Sequence, residues 1–332
     1  MTRWSPMLLD EAELRTMPDL PLPAVLGHAD SVIDTRPSSR ALYRSWERQH
    51  WAADEIALER DAANWSRLPD PVRQRVHKLI VNFLIGEYTG LELLGPILTG
   101  CPDEDSLVYV GTQLADESRH THLVRRIAVD VLGMPADLEA ALPEGWSQLS
   151  PAQRELSTLE AELIGRIARP MPGYEDWLRA VTVFHLVTEG ILALHAQRTL
   201  VGSLRAGGTL PGIRAGFVAM TRDESRHVAF GMQALREGLS RGHEEAITDV
   251  LVTAMPLAVC VEAEEPMPAE QRAQVVAVAE LLRAEAVLRM RQIGMSRAAV
   301  ARVLRATDRA ISLLRAPGPQ ATTPHPMRRT AP

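Results

Sequence analysis

Asp-Glu-Ser-Arg-His occurs twice in this chain, at residues 116–120 and again at 223–227. Within each copy a glutamate stands three positions before a histidine: Glu117 and His120, then Glu224 and His227. Positions i and i+3 of a helix share a face, so each pair can offer one carboxylate and one imidazole to the same cation. Carboxylate oxygens with one imidazole per ion suit iron or manganese better than a thiolate-rich zinc site would. Glu47 and His50 have the same spacing but no second copy, and are expected to be coincidental.

A two-ion site in a helix bundle also needs a carboxylate from each of two further helices. Glu189, set in VFHLVTEGILAL, is the only acidic residue between Asp176 and Asp223. Burying it without a partner would be costly, so its apolar surroundings call for a cation. The remaining ligand is Glu87 or Glu92, about 140° apart on a helix. Glu87 follows Phe83 by four positions and continues its apolar stripe, which favours Glu87. In chain order, Glu87 precedes Glu117 by 30 positions and Glu189 precedes Glu224 by 35. Two similar helix pairs facing each other would close a six-ligand cage.

The elements that must carry these residues read as long helices. Apolar residues at helical spacing (Val72, Val76, Leu79, Phe83) predict a helix over 71–99. Others are predicted over 38–50, 103–132, 151–169, 174–204, 211–240, 244–256, 268–292 and 296–315. Thirty helical residues span about 45 Å, and four such helices joined by short loops imply a bundle. The expected organisation is an irregular arm over 1–37, a dimetal bundle over 38–240, additional helices over 241–315, and a Pro-rich disordered tail over 316–332.

Composition narrows the class. The chain has 332 residues, 46% of them hydrophobic, and a net charge of −6, so no basic excess points to nucleic acid. Aromatic content of 4% is thin for an all-β protein. Cys101 and Cys260 form no CxxC pair and are expected to be reduced thiols, and the N-terminal stretch has no signal-peptide pattern. A cytoplasmic location is the expectation that follows. The apolar run from Ala180 to Gln197 contains His185, Glu189 and His195, which marks a bundle core helix rather than a membrane span. Near the C-terminus, GMSRAAVARVLRATD imitates half of a helix-turn-helix, but Ser296 as the cap of a last bundle helix explains it as well.

Larger segments carry a resemblance. His50-Trp51 with the following AADEIALERDAANW, then IGEYTGLELLGPI, LVYVGTQLADESRH, TEGILA and TRDESRHVAFG, resemble the ribonucleotide reductase small-subunit superfamily over residues 40–235. RMRQIGM extends the likeness weakly. The resemblance implies an all-α, ferritin-like bundle with a dimetal-carboxylate core and additional C-terminal helices. Its metal ligands would be Glu87, Glu117, His120, Glu189, Glu224 and His227, holding Fe/Fe or Mn/Fe. Within the superfamily the chain is most similar to the ligand-binding oxidases, which hold a long-chain fatty acid beside the metals. Those enzymes join a tyrosine and a valine by an ether link; the matching positions here are Phe184 and Gly90, so no link is expected. The radical tyrosine of the reductase is matched by Val124, and none of Tyr43, Tyr88, Tyr109 or Tyr174 replaces it. The extra histidine of the related p-aminobenzoate N-oxygenases is matched by Met220.

Other residues are weighed singly. By resemblance, Asp223 would face His120 and, with Trp51, form an electron path; Asp116 is the corresponding residue of the other copy, with surface charge as its plain alternative. His185, four positions before Glu189, is a further ligand, a proton donor or a structural histidine. Ala193, small where reductases carry Phe, would leave room for an organic ligand in a pocket lined also by Phe184, Gly90 and Met220, and Tyr109 would line the same pocket or simply pack.

These readings lead to an O2-activating dimetal oxidase or oxygenase acting on a small organic substrate, lipid-like or an amine. The alternatives are a reductase small subunit with a metal-centred radical, and ferritin-like metal storage. A homodimer is implied by resemblance, no nucleic-acid or membrane partner is expected, and the electron donor is left open.

Overall fold

The computed structural model describes residues 30–168, 172–264 and 267–316. Among the described residues there is no strand. The chain runs through helices α1 (Ser39–Glu47), α2 (Glu59–Trp65), α3 (Asp70–Thr99), α4 (Glu104–Arg126), α5 (Leu138–Gln148), α6 (Pro151–Gly165) and α7 (Tyr174–Ala206). Four more follow: α8 (Pro211–Ser240), α9 (Glu244–Ala258), α10 (Ala269–Ile293) and α11 (Arg297–Arg315). This is the all-α bundle anticipated above, with α2 and α5 added to the anticipated helices. Residues 30–34, read in the sequence as part of the irregular arm, form a helical turn. The rest of that arm and the tail beyond residue 316 lie outside the described residues.

Caps fix where the long helices begin. The Asp103 carboxylate accepts from the Ser106 N–H at 2.9 Å and starts α4. Ser150, followed by Pro151 at the first helical position, starts α6. α8 uses a cap borrowed from elsewhere in the chain. Leu210 before it is left-handed (φ 49), and the carboxylate of Asp61 on α2 accepts from the Ile213 N–H at 2.7 Å. A Cβ at Gly212 would fall 2.1 Å from the Ala57 carbonyl oxygen, so only glycine lets α8 meet the segment before α2 this closely.

α3 packs along α4, and α7 along α8, which makes two antiparallel pairs. α9 and α10 pack on the outer side of α7, and α11 packs in turn on α9 and α10. The middle of α7, Thr182–Ala193, is wound as a π-helix, and the Leu194 N–H bonds back to the Glu189 carbonyl. Such wide turns are rare and concentrate at functional sites. α7 is long and apolar enough to cross a membrane, but 78% of its most apolar window is buried inside the protein. The helix-turn-helix imitation is also explained by packing. Ser296 caps α11, whose buried side (Ala299, Val303, Thr307, Ile311, Leu314) repeats largely every fourth residue against α9 and α10.

Candidate metal centre

The helices α3, α4, α7 and α8 each bring candidate ligands to one cluster. Glu87, Glu117 and His120 form one group of potential ligands, and Glu117, Glu189, Glu224 and His227 another, with the ligand atoms of each group within 4.8 Å of one another. Glu117 belongs to both. Its Oε2 lies 3.6 Å from His120 Nδ1 and its Oε1 3.2 Å from His227 Nδ1. Glu224 divides in the same way, with Oε1 3.6 Å from His120 Nδ1 and Oε2 3.3 Å from His227 Nδ1. Glu87 faces only the His120 side, at 3.6 Å, and Glu189 only the His227 side, at 3.7 Å. Two carboxylates that face both imidazoles and two that face one each, with one imidazole at each end, would form the donor set for a pair of ions. Donor atoms spaced in this way suit metal–ligand bonds of about 2 Å.

The side chains themselves show that cations fit here. Glu117 Oε1, His120 Nδ1 and Glu189 Oε2 are buried without a hydrogen-bond partner. Burial pushes Glu87 up to about 8 and Glu189 well above the ordinary carboxylate value. Four carboxylates packed this closely need positive charge, and two divalent ions supply an equal amount. Glu92, the rival of Glu87, is exposed, as are Glu47 and His50.

Behind each imidazole stands an aspartate from the opposite copy of the repeated pentapeptide. His120 Nε2 lies 3.3 Å from Asp223 Oδ2, and His227 Nε2 lies 3.2 Å from Asp116 Oδ2. Both imidazoles therefore turn Nε2 to a carboxylate and Nδ1 to the ligand cluster, an arrangement that fixes the tautomer. Arg226 joins the two aspartates, donating to Asp116 Oδ2 at 2.8 Å and to Asp223 Oδ1 at 2.5 Å. Against burial, which would raise it, this guanidinium holds Asp223 well below the ordinary carboxylate value. Trp51 Nε1 donates to Asp223 Oδ2 at 2.7 Å, so the Trp51–Asp223–His120 series exists as a continuous chain of contacts. Asp116 is 1% exposed and is not a surface charge.

His185 is fully buried and meets a ligand only indirectly. Its Nε2 lies 3.0 Å from Gln113 Oε1, and Gln113 Nε2 donates to Glu189 Oε1 at 2.8 Å. A second amide, Gln197, donates to Glu224 Oε1 at 3.2 Å. Neither glutamine was anticipated. A signal existed: Gln113 stands four positions before Glu117 and Gln197 eight after Glu189, both on ligand-bearing helices.

The residues expected around an organic ligand divide. Gly90 and Phe184 do meet beside the cluster: a Cβ at Gly90 would lie 3.8 Å from the Phe184 ring and 3.9 Å from Glu117 Oε2. Ala193 is half-buried at the end of the π-helical stretch. Met220 lies in the same buried apolar cluster as Phe83, Val124 and Phe217. Tyr109 is buried against Phe230, ring centroids 5.1 Å apart, and its hydroxyl has no hydrogen-bond partner.

Residues 35–264 match the family described as ribonucleotide reductase, small chain. Among solved structures, an R2-like ligand-binding oxidase mutant with an anaerobically reconstituted Mn/Fe cofactor superposes with a TM-score of 0.67 at 19% identity, covering 78% of this chain and 93% of that one. A second such mutant gives a TM-score of 0.66 at 18% identity, over 78% and 94% of the two chains. The R2-like ligand-binding oxidase from Sulfolobus acidocaldarius gives 0.64 at 19% identity, over 78% and 92%. At these identities the likeness is one of fold.

Proposed function

The chain belongs to the ribonucleotide reductase small-chain family, and on that premise we propose that it is an O2-activating dimetal oxidase or oxygenase acting on a small organic molecule. The observation that carries this reading is the six-residue cage, in which Glu117 and Glu224 each turn one oxygen to each imidazole. Glu87 and His120 at one end, and Glu189 and His227 at the other, would complete the coordination of Fe/Fe or Mn/Fe. Such a pair, when bound, supplies the electrons and Lewis acidity for reducing O2.

The protein's own groups set the conditions for that chemistry. Asp116 and Asp223 hold the imidazoles in one tautomer, and Gln113 and Gln197 restrain the carboxylates Glu189 and Glu224. A Cβ at Gly90 would meet the Phe184 ring and Glu117 Oε2 at ordinary contact distance, and this is where the reading puts an alkyl or aryl portion of a substrate, lipid-like or an amine. Val124, beside the ligands in sequence and fully buried, cannot hold a radical as tyrosine does, and Phe184 has no hydroxyl for an ether link. These two positions favour oxidation of a bound molecule over tyrosyl-radical storage. The Trp51–Asp223–His120 series keeps a second reading open, a reductase small subunit with a metal-centred radical. A homodimer and a cytoplasmic location complete the proposal.

The test is anaerobic loading with Fe(II), or Fe(II) and Mn(II), followed by rapid mixing with O2 and mass analysis of co-purified small molecules. O2 uptake in proportion to bound metal, with a bound organic molecule gaining oxygen or losing hydrogen, is the expected result. Metal bound without O2 uptake would overturn the oxidase reading. Ribonucleotide reduction on adding a large subunit would select the second one.

A further inference from the structure

Two indole–carboxylate–imidazole series, not one, run into the ligand cluster. Beside Trp51–Asp223–His120 stands Trp46–Asp116–His227: Trp46 Nε1 donates to Asp116 Oδ1 at 2.9 Å, and Asp116 Oδ2 lies 3.2 Å from His227 Nε2. The two differ in exposure. Trp51 is 7% exposed and covered by the Arg119 guanidinium, 5.4 Å above its ring. Trp46 is only half-buried; it meets the exposed His50 ring edge-on at 4.5 Å and lies 6.2 Å from the Tyr43 ring. The second series therefore reaches the surface.

The surface it reaches is basic. α1 turns Ser39 and Leu42 inward, with Trp46 on the same side, while Arg40, Arg44 and the cap residue Arg48 recur every fourth position and are exposed. Glu47 is the only acid on this helix, and it accepts a hydrogen bond from the Tyr43 hydroxyl at 3.1 Å. Arg40 reaches Asp105 at 3.2 Å, which leaves Arg44 and Arg48 to set the outward charge. A row of arginines over a surface-reaching indole is complementary to an acidic protein face.

We propose that α1 is the docking face for an acidic one-electron carrier protein, and that Trp46–Asp116–His227 conducts its electrons to the ligand cluster. The inference rests on the reading that the six ligands hold a redox-active metal pair. In each transfer one electron would pass from the carrier through the Trp46–Asp116–His227 contacts to a bound metal pair, so the carrier would be oxidised by one electron and the metal pair reduced by one. Asp116 joins the two rings of this path, accepting from Trp46 Nε1 through Oδ1 and facing His227 Nε2 through Oδ2. Two such transfers would return a bound metal pair to its fully reduced state.

The probe is a reduced plant-type iron–sulfur ferredoxin, an acidic carrier, mixed anaerobically with the oxidised, metal-loaded protein while the ferredoxin absorbance is followed. The observed rate is expected to fall steeply with added salt. Trp46→Phe should slow ferredoxin oxidation by about tenfold or more, with metal content and melting temperature retained, and the double variant Arg44→Glu/Arg48→Glu should slow it and flatten the salt dependence. The second variant alters only exposed side chains, so it serves even if the first folds poorly. Ferredoxin oxidation at the unaltered rate in fully loaded Trp46→Phe would overturn this route alone. Dissociation of a dimer by the arginine reversals would also overturn it, by making α1 a subunit contact. Failure of the unsubstituted protein to bind metal would instead remove the dimetal reading on which the proposal rests.

Discussion

His185 and Glu189 are joined through one intervening side chain: Gln113 accepts from His185 Nε2 at 3.0 Å and donates to Glu189 Oε1 at 2.8 Å. The imidazole thus acts as a support for a ligand's support. Its fourfold spacing from Glu189 suggested a ligand or proton donor, but its Nδ1 is buried without a partner and burial pulls its pKa down to about 3. A neutral, donating Nε2–H follows, since Gln113 must turn its carbonyl to His185 in order to donate to Glu189.

Gln113→Leu is expected to free Glu189 Oε1 and weaken metal binding at the His227 end by about 10–100-fold, the usual cost of losing such a support. His185→Gln should have the smaller effect. Competitive titration with a chromophoric chelator would measure both. Equal affinity in Gln113→Leu and the unsubstituted protein would show that this chain of contacts does not position the ligand.

A pH dependence follows from Glu160 on α6. It is buried, and the Thr188 hydroxyl donates to its Oε1 at 2.8 Å. Burial pushes its pKa up to about 7 from an ordinary value of 4.5. The folded state therefore holds this proton more tightly than the unfolded chain does. The associated stability is complete below about 4.5 and is lost as pH rises to about 7. Glu160→Gln keeps an acceptor for Thr188 and removes the penalty, so it should stabilise the metal-free protein near pH 8 by roughly 3 kcal/mol at most, and much less near pH 5. Urea unfolding at both pH values is the measurement; the same gain at both would contradict the assignment.

Two glycines make opposite predictions. A Cβ at Gly231 would sit 2.2 Å from His185 Cβ, whereas at Gly90 its nearest neighbour would be the Phe184 ring at 3.8 Å. Gly231→Ala should cost about 1–3 kcal/mol or more through overpacking against the π-helical stretch. Gly90→Ala should be neutral or add up to about 1 kcal/mol, since alanine is the better helix former. Thermal unfolding of the pair decides; a costly Gly90→Ala would mean that the space beside Glu117 is filled in solution.

The long helices and the cage were legible because amphipathic spacing and the repeated pentapeptide report on faces of single helices. Glu87 was separable from Glu92 for the same reason, through its register with Phe83. What escaped depends on contacts between distant segments. Asp116 looked like surface charge because Trp46, 70 positions earlier, and Arg226, 110 later, bury it only after folding. Gln113 and Gln197 are neutral amides that belong to no motif. The π winding of Thr182–Ala193 has no residue pattern that distinguishes it from an α-helix. α2 and α5 are short, and α5 contains Pro143, which argues against a helix locally.

The central claim is that Glu87, Glu117, His120, Glu189, Glu224 and His227 hold two ions through two shared carboxylates. Metal content per chain after anaerobic Fe(II) loading and removal of excess tests it most directly. The account predicts two ions in the unsubstituted protein, and one or none in both Glu117→Ala and Glu224→Ala, because each removes an oxygen from both ends of the cage. Two ions retained in either variant, with the fold intact by circular dichroism, would contradict it.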